Sequence, residues 1–317
     1  MKKKVILYLE PAWFNWNEWW ILSFNKALLQ VGIEGKNFQP LKIYYWIGGI
    51  LAKLRLCRNI ITRHDKACII ALNWSSETRL FPVTYTHEMI PWITDCWPEE
   101  IDKWEQIFRR HRMKHVFFSA RDAVKLFAPK FPHIQFHWLP EAIDPTPFSP
   151  QKPLISRSID VFEMGRSSSS YHEAIKPMLH EHAFQHLHHT FIEPVQKFQA
   201  VLADTKILVC FPKSYTHPKT IKFETTTARY FQGIASGCLL IGHSPLELVD
   251  LFGYNPVIEV EAGNEQDQLM SILSQPAIYQ EFVHKNYARL LEVGTFDVRV
   301  KELLVTLNNA GYQVATS

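Results

Sequence analysis

Residues 211–242 read FPKSYTHPKTIKFETTTARYFQGIASGCLLIG. The stretch opens on the end of an apolar run and crosses a polar loop carrying Lys213, Lys219 and Lys222. It then shows a helical pattern and reaches a second apolar run after Gly237. Glu224 precedes Thr225, Thr226 and Thr227, where an acid and hydroxyls suit a helix start, and Gly237 stands where a helix end favours a left-handed residue. Strand, loop, helix, strand is the unit from which helix-covered parallel sheets are built. The start of such a helix offers free N–H groups and the positive end of its dipole, which suit a diphosphate, and the three lysines would add charge. Ordinary capping beside a solvated basic loop accounts for the same residues equally well.

The alternation continues in both directions from this stretch. Strands are expected at 4–9, 67–72, 82–85, 115–118 and 135–138, with helices over 17–31, 41–56, 98–110 and 120–127. Pro140, Pro145, Pro147, Pro150 and Pro153 then disfavour both helix and inner strand, which marks a linker. Beyond it come strands at 159–164, 189–192, 207–211, 238–241 and 257–260. Helices are expected over 171–182, 194–203, 225–235, 246–252 and from 266 onward. The fold class is therefore α/β, with one Rossmann-like domain at 1–150 and a second at 151–317. Such sheets bind ligands outside the carboxyl ends of their strands, which puts the expected site in a cleft between the two.

The chain has 317 residues, enough for two cores of usual domain size. A net charge of +3 is too small for a nucleic-acid-binding face, and no such partner is expected. The five cysteines, Cys57, Cys68, Cys96, Cys210 and Cys238, are odd in number and scattered, as expected of reduced thiols in a cytoplasmic protein. Glu10 and Pro11 cut short the apolar run after the N-terminal lysines, so a signal peptide is not expected. Neither G-x-G-x-x-G after the first strand nor G-x-x-x-x-G-K-[ST] occurs.

Glu224 is followed by seven residues and then Gln232, and the helix closes on Ala235, Ser236 and Gly237. This pattern resembles the donor-binding region of GT-B glycosyltransferases of the "glycosyl transferases group 1" type, many of which carry Glu, seven residues, Glu and Ala-x-Gly. Residues 159–166, IDVFEMGR, are similar to the strand in that family that ends in Gly-Arg. LPEAIDPTPFSP, residues 139–150, resembles the stretch that closes the family's N-terminal domain.

The resemblance implies two Rossmann-like domains facing across a cleft and a nucleoside-diphosphate-sugar donor in the second. It implies that Glu224 holds donor-sugar hydroxyls, Gln232 the ribose, and Arg166 with Lys213 the diphosphate. His172 takes the place of a family lysine. Gly165, Ser214, Thr225, Thr226 and Arg229 fall at the remaining donor-side positions. No cofactor and no metal are expected. A carbohydrate or lipid-linked acceptor, in glycan or cell-surface polysaccharide synthesis, would complete a reaction expected to retain anomeric configuration.

Other readings stay beside this one. His87, Glu88 and Asp95 follow an expected strand and suit the general base that an inverting transferase needs, although loop capping explains them too. Trp13 and Trp16 could stack on acceptor rings or belong to the core. Histidines 180, 182, 186, 188 and 189 lack the spacing of a metal motif and are read as structural or surface residues. Residues 41–63 mix aromatics with Lys53, Arg55, Arg58 and Arg63, a candidate contact with the inner membrane face. Gln232 and His172, both departures from the family, leave open a non-catalytic binding module.

Overall fold

Val5, Ile6, Leu7 and Tyr8 form the unbroken apolar run of a strand covered on both faces, and all four are buried in the strand Lys4–Leu9. The computed structural model describes residues 3–9, 19–37, 42–54, 66–72, 81–94, 96–111, 113–148, 150, 152–165, 168–189, 192–216 and 223–314. The chain forms two compact units, Met1–Pro140 with Phe296–Ser317, and Glu141–Thr295.

The first unit is a six-stranded parallel sheet. Its strands are β1 (Lys4–Leu9), β2 (Glu34–Asn37), β3 (Lys66–Leu72), β4 (Glu88–Ile93), β5 (His115–Phe118) and β6 (Gln135–Trp138), in the order β2-β1-β3-β4-β5-β6. Helices α1 (Trp19–Gln30), α2 (Lys42–Lys53), α3 (Val83–Thr86), α4 (Ile101–Arg110) and α5 (Arg121–Phe127) connect them. Phe108, Phe118, Phe127 and Phe131 interlock between α4, α5 and β5, with Phe108 edge-on to Phe127 at 5.2 Å.

Two expectations fail here for physical reasons, and one strand has no counterpart in the sequence pattern. Residues 82–85 were expected as a strand, but Val83–Thr86 is a single helical turn and the strand is Glu88–Ile93. Pro91 sits in an inner strand and a carboxylate opens it, which hid its apolar character. The strand Glu34–Asn37 has no apolar signature because it lies at the sheet edge. The last helix, Phe296–Asn309, was expected in the second domain yet belongs to the first unit. Phe296 meets Trp92 at 6.3 Å and Phe24 at 6.2 Å, so it completes the core between β4 and α1.

The second unit holds five parallel strands in the order β11-β10-β9-β7-β8. These are β7 (Ile159–Met164), β8 (His186–His189), β9 (Thr205–Cys210), β10 (Leu239–Gly242) and β11 (Ile258–Glu259). They alternate with α6 (Ser169–Glu181), α7 (Val195–Ala203), α8 (Lys213–Thr216), α9 (Ala228–Ala235) and α10 (Leu246–Phe252), followed by α11 (Glu265–Ser274) and α12 (Gln280–Val293). Val161, Ile207, Val209, Leu239 and Ile241 line one sheet face against Tyr171, Ile175 and Leu179 of α6 and Leu269 and Ile272 of α11. The strand expected at 189–192 lies three residues earlier, at His186–His189, because an edge strand tolerates the polar imidazoles. Buried Arg157 donates to the carbonyls of Thr205, Ser236 and Lys152, placing a cation at the carboxyl end of α9.

Among the described residues no helix is long and apolar enough to cross a membrane. Cys68, Cys96, Cys210 and Cys238 are buried, and burial pushes Cys210 up to about 12 and Cys238 up to about 11.

Candidate functional site

The carboxyl ends of β9 and β10 turn directly into the loops that hold most of the expected site. After β9 the chain passes Phe211 and Pro212 into the single turn Lys213–Thr216. After β10 it passes His243, Ser244 and Pro245 into Leu246–Phe252. The segment 223–227, just before α9, lies beside them, because Glu224 reaches both His243 and the start of α10. Its Oε1 is 3.5 Å from His243 Nε2, and its Oε2 accepts from the Leu246 N–H at 3.4 Å.

The helix expected over 225–235 starts later, at Ala228. Thr227 is extended and caps it without a side-chain hydrogen bond, while the Thr226 N–H is taken by the buried carboxylate of Glu247. Glu224 and Gln232 therefore do not share a helix. Glu224 stands on an extended loop with its side chain 31% exposed, whereas Gln232 lies within α9 and is 8% exposed. Gly237, in the left-handed region at φ 69°, ends α9 as expected.

His243 is the residue that sequence reasoning missed. Its Nδ1 is 3.0 Å from Glu259 Oε2, so the imidazole joins two carboxylates, with Tyr215 stacked on it at 5.5 Å and Phe211 stacked on Tyr215 at 4.9 Å. The available signal was its position as the first residue beyond a strand end. Glu259 also accepts from the Ser244 N–H and from Asn255.

The loops are rich in unsatisfied hydroxyls. The side-chain oxygens of Ser214, Thr225, Thr226 and Ser244 are all buried without a hydrogen-bond partner among the described residues. Buried polar atoms are ordinarily paired, so a cluster of unpaired ones at strand ends signals a polar occupant. Lys213 opens α8 and Arg229 lies in the first turn of α9, which brings two cations to the same loops.

A second group lies at β7 and β8. Gly165 follows β7 at φ 67°. The His172 Nδ1, on α6, is 2.7 Å from Glu163 Oε1, and His186 Nε2 is 2.8 Å from the same oxygen. Burial works to raise the Glu163 carboxyl, but the hydrogen bonds from His186 and His172 outweigh it and hold it below its ordinary value. Only Nε2 of His172 is left for an anion.

In the first unit the expected base residues lie elsewhere in the sheet. Glu88 opens β4 at its amino end, is buried, and is bonded to both Lys3 and the Tyr312 hydroxyl. These contacts join β4 to the segments that carry Lys3 and Tyr312. His87 precedes it, with Nδ1 2.8 Å from the Thr86 hydroxyl. Trp13, Trp16, Asp95, Arg166, Lys219 and Lys222 lie outside the described residues.

No family model and no curated protein matches the chain. Solved structures do. An α,α-trehalose-phosphate synthase (UDP-forming) from Burkholderia vietnamiensis is 9% identical, with TM-score 0.54 over 90% of this chain and 83% of that one. An α-glucosyltransferase in complex with UDP and a mismatched 13-mer DNA is 10% identical, with TM-score 0.57 over 97% of this chain and 100% of that one. HepE of Anabaena, in complex with UDP, is 8% identical, with TM-score 0.53 over 96% and 100%. At these identities the likeness shows the fold, that of the GT-B glycosyltransferases, as the strand–helix alternation and the resemblance implied.

Proposed function

We propose that the chain is a glycosyltransferase that moves a sugar from a nucleoside-diphosphate donor to a carbohydrate or lipid-linked acceptor, with the donor held at the carboxyl ends of the second sheet. The observation that carries this reading is the set of unpaired buried hydroxyls around Glu224, at the strand ends where open α/β sheets bind ligands. The shared fold supports it, since matching structures were solved with UDP. Lys213, Arg229 and Arg166 would meet the diphosphate, and Glu224 the hydroxyls of the donor sugar. Catalysis would then come from positioning and from stabilising charge on the departing diphosphate.

We assign retention on the Glu224 pattern and the resemblance that goes with it; of the candidate bases for inversion, the Glu88 carboxylate is already committed to Lys3 and Tyr312. Synthesis of a glycan or cell-surface polysaccharide in the cytoplasm is the setting we assign. The rival is a binding module without turnover, and donor hydrolysis above background would exclude it.

The test is calorimetry with nucleoside diphosphates. UDP is expected to bind, Arg166→Ala to weaken it by about 1.5–3 kcal/mol, and Gln232→Ala by about 0.5–1.5 kcal/mol. The free nucleoside should lose affinity with Gln232→Ala but not with Arg166→Ala. Equal losses of both ligands in folded Arg166→Ala would overturn the diphosphate assignment.

One surface favours a membrane-bound acceptor. Ile43, Trp46 and Ile50 on α2 and Leu54 just past its end recur at helical spacing and are all more than half exposed, Trp46 at 75%, with Lys53 beside them. An apolar stripe flanked by cations suits an anionic bilayer surface. Wild-type protein should co-sediment with phosphatidylglycerol vesicles and Trp46→Glu should not. Equal sedimentation of the two would exclude this contact.

A further inference from the structure

We infer that Glu163, His172 and His186 form a binding site for a divalent transition-metal ion, zinc being the best match. Three elements bring the ligands together. Glu163 lies on β7, His186 opens the neighbouring strand β8, and His172 stands in the first turns of α6. Residues paired across parallel strands share a face. Val161 is paired with His186 and Glu163 with His188, so all four side chains project from one face. That face is the one α6 covers, since Val161 packs with Tyr171 and Ile175.

A glutamate on a packed sheet face needs compensation. Glu163 is 1% exposed, its Oε1 serves both imidazoles, and its Oε2 has no hydrogen-bond partner among the described residues. The imidazoles satisfy one oxygen and leave the other bare, whereas a cation would engage the whole carboxylate. One ligand atom from each residue lies within 4.8 Å of the others. Zinc would draw these atoms to roughly 2.0–2.2 Å from itself, the usual length of its bonds to nitrogen and oxygen.

Two histidines and a glutamate are a known zinc ligand set that leaves a fourth position for water or another donor. The His188 ring, 4.4 Å from that of His172, stands next to the group. Coordination through Nδ1 would leave the proton of His172 on Nε2, where it remains a donor. Spacing along the chain could not reveal this set, because the exposed histidines 180 and 182 dominate the pattern and the acid lies on another strand.

The test uses the untagged, full-length, metal-stripped protein. Zinc titrated calorimetrically should bind at one equivalent and raise the melting temperature. His172→Ala and His186→Ala should each cost more than the ~10–100-fold in affinity typical of losing an outer-shell partner. His180→Ala and His182→Ala should change nothing. Glu163→Gln preserves shape and removes the charge, so wild-type zinc affinity in that variant would overturn the proposal. If that variant does not fold, X-ray absorption of zinc-loaded wild type decides. Two or more imidazoles with a carboxylate support the site, and fewer than two imidazoles overturn it.

Discussion

Gly242→Ala is expected to destabilise the protein by about 2–6 kcal/mol, the sum of left-handed backbone strain and overpacking. Gly242 ends β10 at φ 147°, and a Cβ there would lie 1.9 Å from the Cys210 carbonyl oxygen. That oxygen cannot yield, because it also accepts from the His243 N–H at 3.0 Å. The methyl group would push β10 from β9 at the strand end that carries His243, the neighbour of Glu224. Gly253→Ala is the control. Its φ is 78°, but nothing lies within 4 Å of the added carbon, so only the ~1–2 kcal/mol of backbone strain should appear. Urea denaturation compares the two, and equal losses would refute the steric account.

Glu224→Ala should lower turnover about 10²–10³-fold, the effect of removing one group that stabilises a transition state, while UDP affinity stays at the wild-type value. The nucleotide carries no sugar for this acid to hold, so the split between turnover and binding reports on its role. Glu224→Gln keeps an acceptor for the Leu246 N–H but loses the charge that faces His243, and should fall between the two. His243→Ala should reduce turnover less, because the imidazole acts by orienting the carboxylate. Steady-state rates with circular dichroism as the folding check settle it. Wild-type turnover in folded Glu224→Ala would mean that the donor sugar lies elsewhere.

The candidate site was legible in part. Glu224, Lys213 and the threonines stood out because acid, cation and hydroxyls cluster between a strand and a helix. His243, Glu259 and Tyr215 gave no such signal. His243 reaches Glu224 from the end of β10, while Glu259 on β11 and Tyr215 in α8 meet His243, and the sequence distance of Glu259 from Glu224 says nothing of this common neighbour. Glu88, an acid next to a strand, has partners that spacing could not show, since Lys3 and Tyr312 are both distant from it in the chain.

By itself the sequence determined the local elements wherever periodicity and punctuation agree. Lys4–Leu9, His115–Phe118, Gln135–Trp138, Ile159–Met164 and Leu246–Phe252 fall where apolar runs and glycine or proline stops put them. These signals act over a few residues, and they sufficed for an α/β fold of two parallel sheets. Only tertiary structure decided what depends on partners distant in the chain. It placed strands at polar Glu34–Asn37 and proline-bearing Glu88–Ile93, since neighbouring strands supply the hydrogen bonds that propensity denies. It returned Phe296–Asn309 to the first unit, because Phe296 fits between Trp92 and Phe24. It also joined Glu163 to His172 and His186, three residues from three elements, because burial of a charged carboxylate requires donors and the fold brings them there.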